Sequence, residues 1–162
     1  MSKVFLIAEA GVNHGGSFDT ALRLIDKAKE AGADAVKFQL FSSQALWGDD
    51  RIAHLQLGYQ QMEDLAFYAG SIGIEFMCTP FDIQAVEKLK PLVKRMKVAS
   101  GCITRAPLLR AVRDTKLPVI LSTGMSTLDD IHAAMGFLGY GFPYEGQDIT
   151  LLHCTSSYPC RL

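Results

Sequence analysis

Six short apolar runs alternate with helical periods along the whole chain, and this alternation constrains the fold more than any other feature. Residues 4–9, 35–41, 74–79, 95–100, 118–123 and 148–155 are each rich in Val, Ile, Leu or Phe and end on polar or small residues, as β-strands do. Between the first two, Ala21, Leu24, Ile25, Ala28 and Ala31 recur at helical spacing after a cap at Ser17 or Asp19, and Gly32 supplies a left-handed stop. Further helical periods fall over 55–70, 82–90, 107–114 and 127–138, the last opened by a Thr127/Asp130 capping box. Repeated βα units predict a parallel sheet with helices packed outside it.

Polar residues gather at the C-terminal ends of these strands: Glu9, Lys37 with Gln39, Thr79, Lys97 with Ser100, Ser122, and residues 153–156. A doubly wound sheet would concentrate such residues at one switch point, whereas a barrel spreads them over every strand end. The expected fold is therefore α/β of the (β/α)8 TIM-barrel type. Six units are two short of closure, and a complete barrel takes about 250 residues, so the reading is an incomplete barrel, truncated after the sixth strand. No Pro/Ser-rich linker, charge run or low-complexity segment interrupts residues 1–162, which read as one partial barrel domain.

Composition narrows the classes of function. A formal net charge of -1 with dispersed Lys and Arg argues against a nucleic-acid surface. The N-terminal apolar run reaches Glu9 too soon for a signal segment or a membrane span, so a cytoplasmic protein is expected. Cys78, Cys102, Cys154 and Cys160 form no C-x-x-C pair and are read as reduced thiols.

Two of the strand-end residues are charges set among apolar neighbours. Glu9 ends the run that begins at Val4, and Lys37 stands in the middle of Ala35-Val36-Lys37-Phe38-Gln39. An unpaired buried charge costs several kcal/mol, so each is kept either for chemistry or for an ion pair.

The motifs then point to a family. Ile7-Ala8-Glu9-Ala10-Gly11-Val12-Asn13-His14-Gly15-Gly16, followed by Ala31-Gly32-Ala33-Asp34-Ala35-Val36-Lys37-Phe38-Gln39, resembles the opening of the N-acetylneuraminate (sialic acid) synthases. Cys78-Thr79-Pro80-Phe81, Lys97-Val98-Ala99-Ser100-Gly101, Leu121-Ser122-Thr123-Gly124-Met125 and Leu151-Leu152-His153-Cys154-Thr155-Ser156-Ser157-Tyr158-Pro159 resemble the later strand-end motifs in the same order. The resemblance implies condensation of phosphoenolpyruvate with an N-acylated amino sugar in its open aldehyde form. The products would be a nine-carbon 2-keto acid and phosphate, and the reaction would be helped by divalent Mn or Mg.

By the same resemblance, Lys37, Thr79, Lys97, Ser100, Ser122 and Ser156 bind phosphoenolpyruvate, whose phosphate and carboxylate need cations and short hydroxyl donors. Glu9, Gln39 and Tyr158 contact the sugar, and Glu9, Lys37 and Lys97 form the catalytic set. The family's metal-binding histidines belong to its seventh and eighth strands, so no metal ligand is assigned here. His14 is read as ordering its loop, His153 as a structural strand histidine, and Trp47 as either a lid residue or ordinary packing. Cys102 stands where the family commonly has an acid and reads as a small residue filling a loop. The loop over 42–51 is short for the family, and nothing resembles its C-terminal antifreeze-like domain.

Other readings stay open on the residues alone: a barrel using Lys37 or Lys97 as a Schiff-base nucleophile, or a non-catalytic phosphate- or sugar-phosphate-binding or assembly module. The expected partners are the two small substrates, together with a second copy or a complementing chain, because an incomplete barrel leaves strand edges open.

Overall fold

The computed structural model describes residues 4–141 and 148–157. The chain divides into two compact units, Met1–Val93 and Lys94–Leu162, each built on a three-stranded parallel sheet.

In the first unit the order is β1 (Ile7–Gly11), α1 (Phe18–Glu30), β2 (Ala35–Leu40), α2 (Ser43–Trp47), α3 (Tyr59–Ser71), β3 (Glu75–Pro80) and α4 (Ile83–Leu89). Strand β2 lies between β1 and β3, and all of it except Gln39 is buried. That burial on both faces is why its sequence is nearly continuous in apolar residues. On one face Phe38 stacks on Phe76 at 5.9 Å between ring centres. Helix α1 starts where Ser17 Oγ accepts from Thr20 N–H, and of the five residues expected on its inner face it buries Ala21, Ile25 and Ala28, leaving Leu24 half-buried and Ala31 exposed at the C-cap. Helix α3 buries Met62, Leu65 and Ala69. Tyr68 donates to Asp26 at 2.6 Å, tying α3 to α1.

The second unit runs β4 (Met96–Val98), α5 (Ala106–Asp114), β5 (Val119–Ser122), α6 (Leu128–Phe137) and β6 (Ile149–Leu152). Here β5 is central and wholly buried, while Leu108, Leu109 and Val112 of α5 supply core. The Thr127/Asp130 capping box forms in both directions, with Thr127 N–H donating to Asp130 Oδ2 and Asp130 N–H to Thr127 Oγ1. Strands β4 and β6 are the sheet's two edges, and Leu151 of β6 is 46% exposed.

All six strands and the α/β class agree with the sequence reading, but boundaries differ. Val4, Phe5 and Leu6 are exposed and precede β1, which instead continues past Glu9 through a bulge to Gly11. Strand β4 stops at Val98 because residues 100–102 turn into a 3-10 helix. The helical period over 55–70 resolves into a 3-10 turn at Ala53–Leu55 and then α3, whose N-cap is Gly58. Helix α2 was not expected at all. Among the described residues, no helix is long and apolar enough to cross a membrane.

Candidate active site

Parallel register assembles the polar strand ends, and it does so twice in the same way. In the first unit Lys37 pairs with Met77, and the next residue on that face of β3, two positions on, is Thr79. Lys37 Nζ donates to Thr79 Oγ1 at 3.2 Å. In the second unit Lys97 pairs with Ile120, and two positions on is Ser122. Lys97 Nζ donates to Ser122 Oγ at 2.6 Å and to Val98 O at 2.7 Å. A lysine stem spans one residue pair, so each buried ammonium reaches the hydroxyl nearest the strand's C-terminal end.

Glu9 completes the first cluster. It lies opposite Lys37 in the β1–β2 register, and its Oε2 is 2.5 Å from Lys37 Nζ. The pair is asymmetric: the Lys37 side chain is 8% exposed and the Glu9 side chain 39%. The ammonium is thus removed from solvent, while the carboxylate stays open to a ligand. The bulge that follows places Gly11 at φ +55°, where a methyl group would sit 3.3 Å from Glu9 Oε1 and 3.7 Å from Gln39 Nε2. Glu9 and Gln39 therefore face the same glycine. A carboxylate beside an amide can grip vicinal hydroxyl groups, accepting with one and donating with the other.

The second cluster is built around Gly124. Its N–H donates to Ser100 Oγ at 3.0 Å. A Cβ there would come within 2.6 Å of Ser156 Oγ and 3.0 Å of Ser100 Oγ, so only glycine lets the two serines close on one point. Thr123 ties this turn to β6 by donating to Leu152 O. Hydroxyl and backbone N–H groups meeting at Gly124, two residues beyond the Ser122 that Lys97 holds, are of the kinds that bind anions. Gly124 stands in the Leu121–Met125 motif, but the sequence alone assigns it no role of its own.

The remaining candidates sort as follows. His14 is 3% exposed; its Nδ1 accepts from Gly16 N–H at 3.0 Å, which orders the turn after β1, and burial pushes its pKa down. His153 is exposed and, among the described residues, makes no hydrogen bond, so the strand-end histidine has no structural bonding role there. Cys102 is buried, and burial raises its pKa, which suits a packing residue better than an acid. Trp47 is 58% exposed with the Arg51 guanidinium 5.3 Å above its ring, so it is not core packing. Cys78, Cys102 and Cys154 are free thiols. Tyr158 and Cys160 lie outside the described residues. Among the described residues, no three His, Cys, Asp or Glu side chains converge to hold a metal.

Parallel βα units with buried lysines and hydroxyls at their strand ends define an α/β protein of the enzyme-barrel class. Comparison with known proteins makes this specific. A model described as the NeuB family matches residues 24–162. An N,N'-diacetyllegionaminic acid synthase of Legionella pneumophila is 40% identical, the match covering 96% of this chain and 49% of that protein. An N-acetylneuraminate-9-phosphate synthase of Mus musculus is 34% identical, covering 97% and 48%. The crystal structure of an N-acetylneuraminic acid (sialic acid) synthetase from Leptospira borgpetersenii, in complex with citrate, superposes with a TM-score of 0.90 at 36% identity, covering 99% of this chain and 57% of that one. The chain belongs to the NeuB family. It spans about half the length of the curated relatives it matches. The alignment to the Legionella protein runs over 179 positions, more than the 162 residues present here, so the relative carries additional residues within the matched region.

Proposed function

We propose that this chain carries the phosphoenolpyruvate-binding half of a sugar-acid synthase, which joins phosphoenolpyruvate to an N-acylated amino sugar and gives a nine-carbon 2-keto acid and phosphate. The names of its relatives support the sugar-acid class. The observation that carries the reading is the twice-repeated buried lysine donating to a strand-end hydroxyl, Lys37 to Thr79 and Lys97 to Ser122. The Lys97, Ser122, Ser100 and Gly124 cluster is assigned to phosphoenolpyruvate, with Ser156 at its rim, and Lys37 and Thr79 are assigned to phosphoenolpyruvate on the family resemblance. Glu9 and Gln39, with Tyr158, are assigned to the amino sugar. Glu9 is also assigned the handling of a proton as the vinyl carbon attacks the aldehyde and water adds to the neighbouring carbon.

The divalent Mn or Mg that the family resemblance implies finds no ligand set among the described residues, so no step is routed through it. We accordingly assign binding to this chain and expect no turnover from residues 1–162 alone. The reading includes a cytoplasmic setting, supported by the free thiols. It also includes association with a second copy or a complementing chain, supported by the edge strands of the three-stranded sheets and by exposed Leu151. Sedimentation over a concentration series tests the association, and a stable monomer throughout would end it.

Calorimetric titration with phosphoenolpyruvate tests the site. Saturable binding displaced by inorganic phosphate is expected, with Lys97→Ala and Lys37→Ala each weakening it by about tenfold or more, the value of one charge-assisted hydrogen bond. Unchanged affinity in both variants overturns the assignment. Phosphate release in the presence of N-acetylmannosamine and Mn²⁺ would show that a ligand set exists in this chain. Borohydride trapping of a keto substrate on either lysine would favour the Schiff-base reading instead.

A further inference from the structure

The Met1–Val93 unit contains a cavity of about 380 Å³ that includes none of Glu9, Lys37, Gln39 or Thr79. It opens where the chain leaves β2 and where α3 and α4 begin. Its floor is apolar, formed by the buried residues Leu40, Phe41 and Leu57. Its walls are set by hydrogen bonds. Gln56 Oε1 accepts from Ser43 N–H, and fully buried Ser43 accepts from Ile52 N–H and donates to Asp49 O, which fixes the segment after β2. Across the cavity, Asp82 Oδ1 accepts from Ala85 N–H at 2.7 Å and fixes the start of α4.

These anchoring bonds use only half of each polar group. Among the described residues, the Gln56 Nε2, the Gln84 amide and the second oxygen of Asp82 make no hydrogen bond. The Lys88 ammonium rests 5.4 Å above the Tyr59 ring and has no carboxylate partner among the described residues. The cavity wall thus offers three donor groups and one anionic acceptor above an apolar floor. The Asp82 carboxylate offsets the Lys88 charge, so the wall does not select a phosphate or another strong anion. A purely apolar ligand would strip water from these groups without replacing it. Hydroxyl groups both donate and accept, and an acyl methyl suits the floor. The volume falls in the range of small-ligand sites, about 300–1,000 Å³.

We propose that this cavity is a binding site for a neutral N-acylated sugar, separate from the Glu9–Lys37 cluster. The sugar's hydroxyls would meet Gln56, Gln84 and Asp82, its acyl carbonyl Lys88, and its acyl methyl the Leu40/Leu57 floor. The choice of an N-acylated sugar rests on the proposed function; the cavity and its unused donors do not.

Amide correlation spectra of the full chain, titrated with N-acetylmannosamine, test this. Saturable shifts at Leu57, Gly58 and Ala85 are expected. Gln84→Ala combined with Lys88→Ala should weaken them by about tenfold or more, and Glu9→Gln should leave them unchanged. Mannose, which lacks both the acyl carbonyl and the acyl methyl, should bind at least about fourfold more weakly, the loss of one methyl burial alone. Absent shifts, shifts abolished by Glu9→Gln, or shifts that survive Gln84→Trp overturn the site, and equal binding of mannose overturns the acyl contact. Phosphoenolpyruvate shifts at Gly124, recorded in the same samples, report the proposed function separately. If they persist while the sugar shifts fail, only the cavity assignment falls.

Discussion

Removing either partner of the Glu9–Lys37 pair should cost very different amounts, because the two side chains differ in access to water. In Glu9→Leu the Lys37 side chain starts from 8% exposure and keeps, among the described residues, only the Thr79 hydroxyl at 3.2 Å. An uncompensated buried charge of that kind costs about 3–5 kcal/mol. In Lys37→Met the stem volume is retained and the charge left behind is Glu9, which is 39% exposed and can be hydrated. That variant should lose about 1 kcal/mol or less, the worth of a solvent-accessible pair. The double variant removes both charges and should sit close to Lys37→Met, since an apolar pair often matches a buried ion pair in stability. Urea unfolding of the wild type, both single variants and the double variant closes the cycle, and the predicted gap between the single variants is a large share of a small domain's total stability. Equal losses in the two single variants, or a double variant as unstable as Glu9→Leu, would refute the argument from exposure.

Gly16→Ala should destabilise by about 2–4 kcal/mol, combining left-handed strain with overpacking, because φ is +80° and a Cβ would lie 2.1 Å from His54 O; an unchanged urea midpoint would contradict that packing. The buried His14 has a pKa below the ordinary 6.5, so the unfolded chain takes up its proton first as pH falls. Its contribution to stability is complete above 6.5 and is lost as pH falls through the folded value; His14→Gln should flatten the melting temperature against pH in that window. Burial raises the pKa of both Cys78 and Cys102, so iodoacetamide mapping of the native chain should label them far more slowly than after unfolding.

Single residues show how much of this was legible in the sequence. A charge inside an apolar strand is visible by inspection, which is why Glu9 and Lys37 stood out, whereas Lys97 came from its strand-end position and the motif it opens. Their partners were harder to see: Thr79 and Ser122 look like ordinary strand-end residues until the register places each two positions beyond a lysine's pair. The Glu9–Lys37 ion pair likewise depends on which residues lie opposite each other. The start of β1 was misplaced because Val4, Phe5 and Leu6 are as apolar as a strand while remaining exposed, and hydrophobicity alone does not say where pairing begins. Helix α2 has five residues with only Ser43 buried, too few for a helical period to show. Gly124 appears in the sequence only as one member of a motif, and its importance comes from side chains that approach it from elsewhere in the chain.

The lysine-to-hydroxyl spacing carries a consequence for how such a chain can change over evolutionary time. The distance that matters is counted across the sheet, from one strand to its neighbour, and not along the connection that joins them. Residues can therefore be gained or lost between β2 and β3, or between β4 and β5, without moving Lys37 from Thr79 or Lys97 from Ser122. A single residue inserted within one of those strands would turn its later side chains to the opposite face and part the lysine from its hydroxyl. Length variation among relatives is thus free to accumulate in the connections, while the strands must keep count.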